Sequence, residues 1–502
     1  MKQSAVDSRQ FTVSVGSRQF SRQSAVGLVV AVLVACSPAT PEQQFLEDAT
    51  EQLGGRGRIG AVKTLTIEGE GVNYNLGQDM KPEAATQQFA VSNYKRTIDI
   101  ANGRQRIEQT RTPKFSYFQG PQAQTQVQGL DGTIAFNVNP KGEASRAAVQ
   151  AESDRLHDLY HHPLMLLRST MDPKTTVGNV RQSGGNRQAD ITTAAGPVVT
   201  LTIDAAGTPL SASSKAYHPN LGDVVMMTQF ADIQDVNGLR LPARFTTRVD
   251  DFTTAEIHAP RQTIDTDVGD LAAPAAIAGA RPSPPAINVT AESVGKGVWL
   301  MGGGSHHSAL VEFSDHLMLI DAPQSEARTL AVIARAKQTV PNKPLTQLVT
   351  THHHFDHTAG LRAAIAEGMD VITHAGNKEW VERIAGRPHT IQPDTLAKNP
   401  TRLVVETVDD QREIKDQTQI VYLYHVAGNP HSDTMLMAYI PRDRILIEVD
   451  AFGAGSAVYP YAANLLENIQ KRKLRVDRIV PLHGPIVKMA ELEKVVASLK
   501  EK

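Results

Sequence analysis

The run Thr351-His352-His353-His354-Phe355-Asp356-His357 gathers metal-binding side chains into seven residues. Neutral imidazole suits zinc, and a carboxylate adds charge and a hard oxygen ligand. A short apolar strand is expected over 345–350, so His352 and His354 sit at its end, where both imidazoles reach one cation. Asp356 and His357 follow on the turn and can face a second cation close by. His353, between two ligands, is expected to point away, because successive side chains alternate at a strand end.

The elements that position this run read as mixed β and α. Strands are expected over 297–301, 308–312 and 317–320, then a helix over 325–338 ahead of the strand that delivers the histidines. Helices follow over 361–367 and 378–384, with a strand over 371–373 between them. Further strands are expected over 402–406, 419–426, 434–439, 444–448 and 478–481, and helices over 462–472 and 489–500. Alternation of this kind implies sheets covered by helices.

The later segments complete a resemblance. Gly428-Asn429-Pro430-His431-Ser432, Leu446-Ile447-Glu448-Val449-Asp450 and Val480-Pro481-Leu482-His483-Gly484 resemble, in order, the ligand-bearing strand ends of the metallo-β-lactamase superfamily. Met318-Leu319-Ile320-Asp321 resembles the family's early strand, whose Asp supports the site from behind the ligands. The resemblance covers roughly 297–502. It implies an α/β fold, an αββα sandwich. It implies a first metal on His352, His354 and His431, a second on Asp356, His357 and His483, and Asp450 bridging them.

The cofactor so implied is two zinc ions; the same donors accept iron or manganese. The activity implied is zinc-dependent hydrolysis by a metal-bridging hydroxide, whose pKa falls from about 15.7 to near 7. Asp356 would orient that hydroxide and pass on a proton. The bond attacked would be an ester, thioester, lactone or amide-type bond of a small molecule. Several β-lactamases carry cysteine or serine at the bridging position, so Asp450 does not favour a β-lactam, although β-lactam hydrolysis stays an alternative. The His run looks most like glyoxalase II, yet little chain follows Asp450 to build the extra helical domain of that enzyme. An iron redox enzyme, as in persulfide dioxygenases, is the second class. Ser305-His306-His307-Ser308 falls where family loops border the site mouth, so His306 and His307 are candidate substrate-facing residues. His374 is a weaker candidate for support from behind the ligands. Gly302-Gly303-Gly304 lacks the spacing of a phosphate loop and reads as a turn.

Residues 45–270 read differently. After a short helical pattern to Leu53 and Gly54-Gly55, period-two alternation over 64–68, 96–100, 106–110, 198–203, 224–230 and 245–249 predicts antiparallel strands with one wet face. Asn237-Gly238 predicts a hairpin turn. Helical spacing over 144–171, interrupted at Pro163, predicts a helix on the sheet. His161 and His162 fall within it, without partners nearby in sequence, as surface or core residues. The whole loosely resembles the half-barrel domains of periplasmic lipoprotein carriers. Residues 271–287, rich in Ala and Pro, read as a semi-rigid linker to a domain over 288–502.

The N-terminus carries Lys2, Arg9, Arg18 and Arg22 with one acid, Asp7, before an apolar stretch over 25–35 that is too short to span a bilayer. Leu33-Val34-Ala35-Cys36 resembles a bacterial lipobox. Residues 1–35 are then a signal peptide, Cys36 the lipidated residue, and 36–44 a tether. The implied location is the periplasmic side of a membrane. Ser37, where inner-membrane lipoproteins usually carry Asp, points to the outer membrane. Charged residues make up 21% of the chain and the net charge is −2. That balance argues against a nucleic-acid partner.

Overall fold

The computed structural model describes residues 38–116, 122–280, 287–453 and 459–500. Cys36 and the expected signal peptide lie outside them. The described residues from Pro41 onward form one compact unit. Among the described residues no helix is long and apolar enough to cross a membrane.

The unit opens with a helix, Pro41–Leu53, whose buried Phe45, Ala49 and Leu53 recur every fourth residue and so share one face. A thirteen-stranded antiparallel sheet follows, counted over the described residues. Its order is unusual in one respect. The first strand, Thr64–Tyr74, lies between the second, Gln88–Asp99, and the last, Phe252–Ile264. The edges of the sheet come from the middle of the chain, Ala144–Arg146 and Thr176–Ser183. Two helices, Val149–Tyr160 and Pro163–Ser169, connect those edges. Pro163 starts the second helix, where its missing N–H costs nothing. Thus the expected helix over 144–171 begins as a strand and is two helices.

His161 and His162 are buried in this domain's interior. The His161 ring sits 3.2 Å from Thr228 Oγ1 and 2.9 Å from Ser214 Oγ, and His162 packs on the Phe245 ring at 5.7 Å. At the expected hairpin, Asn237 and Gly238 have φ of 51° and 80°, the left-handed values that such a two-residue turn needs. After the sheet, residues 271–280 pack back onto it rather than hanging free. Ala273 N donates to Asp131 Oδ2 at 3.0 Å, and Leu271 is buried.

The rest of the chain is an αββα sandwich. A seven-stranded sheet runs from Thr290–Gly295 to Val405–Val408 and a six-stranded one from Gln411–Lys415 to Val487–Lys488. The strand Leu317–Ile320 shows why both faces are covered. Met318 and Ile320 pack between the two sheets with Leu423, Met437 and Ile447. Leu317 and Leu319 face the other way, against the helix Glu326–Thr339 through Val332 and Ile333. A fully apolar strand of this kind is the mark of a sheet buried on both sides.

The outer apolar layer does not end at the helices. Ala216, Leu221, Val224 and Val249 of the N-terminal sheet belong to the same buried cluster as Trp380, Val381 and Ile384. Polar contacts close around it. Arg387 pairs with Asp250 at 2.5 Å, and the Asp223 carboxylate accepts from Thr390 N and Ile391 N at 2.9 and 3.0 Å. The two domains therefore share a core.

Candidate metal centre

Most of the site's candidates lie just beyond the end of a strand. His352–His357 follow Leu345–Val349, Asp321 follows Leu317–Ile320, Asp450 follows Ile445–Glu448 and His483 follows Arg478–Pro481. His431 lies in the connection between Ile420–His425 and Leu436–Ile440. Asp321 and Asp450 have φ of 62° and 54°. Left-handed backbone at two non-glycine residues of one site is strain that the surrounding packing must hold in place.

Two clusters result. His352, His354, His431 and Asp450 each bring a ligand atom within 4.8 Å of the others, and so do His306, Asp356, His357 and His483. Asp450 joins them. Its Oδ2 lies 3.4 Å from His352 Nε2, 3.3 Å from His431 Nε2 and 3.0 Å from His357 Nε2, and its Oδ1 lies 3.1 Å from His483 Nε2.

The fit to metal rests on three buried imidazole nitrogens, two of which face the Asp450 carboxylate. His352 Nε2, His354 Nδ1 and His431 Nε2 are buried and form no hydrogen bond among the described residues. Leaving a buried polar atom unpaired costs about 1–3 kcal/mol, so three orphans converging on one point call for a cation. Burial, with the neighbouring imidazoles, holds His352 and His354 well below the usual histidine value, so their lone pairs are available. Burial alone would raise Asp450, but the His357 and His431 imidazoles outweigh it and keep the carboxylate ionised. Burial opposes charge on His357 too, yet the Asp450 and Asp321 carboxylates raise it well above its ordinary value. Loading a cation there must release that proton.

Asp321 is fully buried behind the ligands. It accepts from Thr351 N at 2.7 Å, Thr351 Oγ1 at 2.8 Å and His357 Nδ1 at 3.0 Å, which turns His357 Nε2 toward the site. His353 points away and packs near Trp380, with ring centroids 6.0 Å apart. His374 is apart from both clusters and pairs with the His425 ring at 4.4 Å.

The structure separates His306 from His307. His306 Nε2 lies 3.1 Å from Asp356 Oδ2, and its ring sits 3.7 Å from that of His483, inside the second cluster. His307 belongs to neither cluster, and its backbone N–H donates to Leu482 O at 2.9 Å. Glu448 had no signal beyond its place on an apolar strand. It is buried, accepts from Ala451 N and Phe452 N at 3.1 and 3.2 Å, and so braces the turn that carries Asp450. Burial and the Asp450 charge push it up to about 8, so it is protonated at neutral pH.

Strand order and site together define a metallo-β-lactamase fold, and residues 301–483 match the family model of the metallo-beta-lactamase superfamily. This part of the chain is therefore a domain of that superfamily, a metal-dependent hydrolase fold. Among solved structures, the chain is similar to the metallo-beta-lactamase from Pontibacter korlensis, at 18% identity over 43% of this chain and 100% of that one, with a TM-score of 0.33. It is also similar to the metallo beta lactamase from Hirschia baltica, at 18% identity over 42% of this chain and 96% of that one, TM-score 0.33. A third is the rubredoxin oxygen:oxidoreductase from Desulfovibrio gigas, at 18% identity over 42% of this chain and 62% of that one, TM-score 0.35. No curated protein matches the sequence.

Proposed function

We propose that the chain is a hydrolase with a two-cation centre, zinc in both positions, acting on an ester, thioester, lactone or amide-type bond of a small molecule. The observation that carries this reading is the place of Asp450, whose two oxygens lie within 3.4 Å of four imidazole nitrogens drawn from both clusters. When bound, a pair of divalent cations supplies an activated water and a Lewis-acid contact for the electrophile.

The chain's own groups do the rest. Asp450 sets the spacing between the two positions. Asp356 is the carboxylate nearest the mouth, with its side chain 38% exposed. Burial would raise it, but the His306 contact and the neighbouring imidazoles outweigh that effect and keep it ionised. The His483 side chain is 31% exposed, so approach is from the side of the second cluster. No Ser or Cys nucleophile is required.

Purified protein, analysed for metal and assayed against lactone, thioester, β-lactam and phosphodiester substrates, is expected to hold about two zinc per chain and to cleave one of the carbonyl classes. Iron with oxygen consumption would overturn hydrolysis, and turnover of the phosphodiester alone would overturn the substrate class.

We also propose that an acylated Cys36 anchors the chain on the periplasmic side of a membrane. The support is the basic, then apolar, then Leu-Val-Ala-Cys pattern of residues 1–36. Expressed in a bacterial host, the Cys36→Ser variant is expected to leave the membrane fraction; unchanged retention would sink the anchor.

A further inference from the structure

One loop of the N-terminal domain reaches the metal ligands themselves. Residues 75–87 join the strands Thr64–Tyr74 and Gln88–Asp99, and a hydrogen bond from Asn75 N to Gln87 O at 2.8 Å closes the loop's neck. Three consecutive residues then meet the histidine run. Gly77 O accepts from Phe355 N at 3.2 Å, Gln78 Nε2 donates to Asp356 Oδ1 at 2.8 Å, and Asp79 O lies 2.8 Å from His354 Nε2. One residue further, Met80 O accepts from Asp433 N at 2.7 Å, two positions beyond His431. The approach is tight. Gly77 has φ of 79°, and a Cβ there would lie 2.3 Å from the Phe355 ring, so only glycine fits.

These contacts fix which atoms can ligate. A carbonyl oxygen only accepts, so His354 must carry its proton on Nε2, and Nδ1 is then the lone pair, the same buried atom that has no other partner. With one Asp356 oxygen held by Gln78, rotation of that carboxylate is stopped and Oδ2 stays with the second cluster. Partners of this kind set the tautomer and orientation of metal ligands.

We propose that the N-terminal domain is a working part of the metal centre, in which the Asp79 carbonyl and the Gln78 amide are positioning groups for His354 and Asp356. This rests on the two-cation reading above. It assigns the N-terminal domain a role toward metal that a carrier or spacer would not have.

The test uses the full chain in three forms: wild type, Gln78→Ala, and Asp223→Asn as an interface control whose contacts are with Thr390 and Ile391. Zinc retention is followed against a chromogenic chelator, and the cobalt(II)-substituted proteins are compared by absorbance. Gln78→Ala is expected to weaken one of the two cations by about 10–100-fold and to alter the cobalt d–d bands, with Asp223→Asn like the wild type. Wild-type retention and spectrum in Gln78→Ala, or an equal loss in Asp223→Asn, would overturn the proposal while leaving the two-cation reading intact. A wild-type chain that binds no stoichiometric cation would overturn both.

Discussion

Replacing Asp450 with alanine is expected to remove both metal occupancy and hydrolysis. Its two oxygens lie within 3.4 Å of imidazole nitrogens drawn from both clusters, so the spacing between the clusters depends on it. Losing the several kcal/mol that paired cations contribute corresponds to a rate decrease of about 10³-fold or more. The N-terminal core, built from residues such as Phe45, Ile98 and Leu201, has no contact with this carboxylate and should remain folded. His354→Ala is expected to behave the same way. Elemental analysis and turnover on the best panel substrate give the answer; full activity in either variant defeats the ligand assignment.

Asp321→Ala should cost both stability and metal. The substitution strands Thr351 N, Thr351 Oγ1 and His357 Nδ1 in an interior from which water is excluded. Removing one partner of a buried charged pair typically costs about 3–5 kcal/mol, and loss of a ligand's outer partner costs about 10–100-fold in metal affinity. Asp321→Asn separates the two effects, because the amide keeps an acceptor for Thr351 N and loses the charge beside His357. Thermal unfolding with and without added zinc reads both. A variant with wild-type melting and wild-type chelator resistance would show that Asp321 is dispensable.

The metal ligands were legible because their chemistry is tied to residue type. His352, His354, His431 and Asp450 announce themselves in any register, and the apolar strands ahead of them fix where they emerge. Asp321 was legible for the same reason. The N-terminal sheet was only half legible. Pro209–His218 carries Ser on both faces and Phe252–Ile264 carries Thr on both, and bulges break the period of Thr64–Tyr74 and Gln88–Asp99, so alternation fades. His306 and His307 are identical in type, and only the backbone of their turn decides which one enters the cluster. The loop at 75–87 had no signal at all. Two of its contacts with the histidine run are made by backbone carbonyls, which every residue possesses. Glu448 was hidden by its setting, since a protonated carboxyl on an apolar strand reads as an exception to the pattern.

The strand order of the N-terminal sheet bears on how firmly that loop is held. Because Thr64–Tyr74 is flanked by the second and the last strands, the loop springs from interior strands with hydrogen-bonded neighbours on both sides. The edges of the sheet fall instead on Ala144–Arg146 and Thr176–Ser183. Local opening starts where backbone bonds are fewest, so fluctuations at the sheet's margins are spent far along the ladder from the loop. The central pairing also joins the two ends of the domain's chain, and it cannot close until residue 264 has been synthesised. In the order of the chain, every strand of the platform precedes the histidine run.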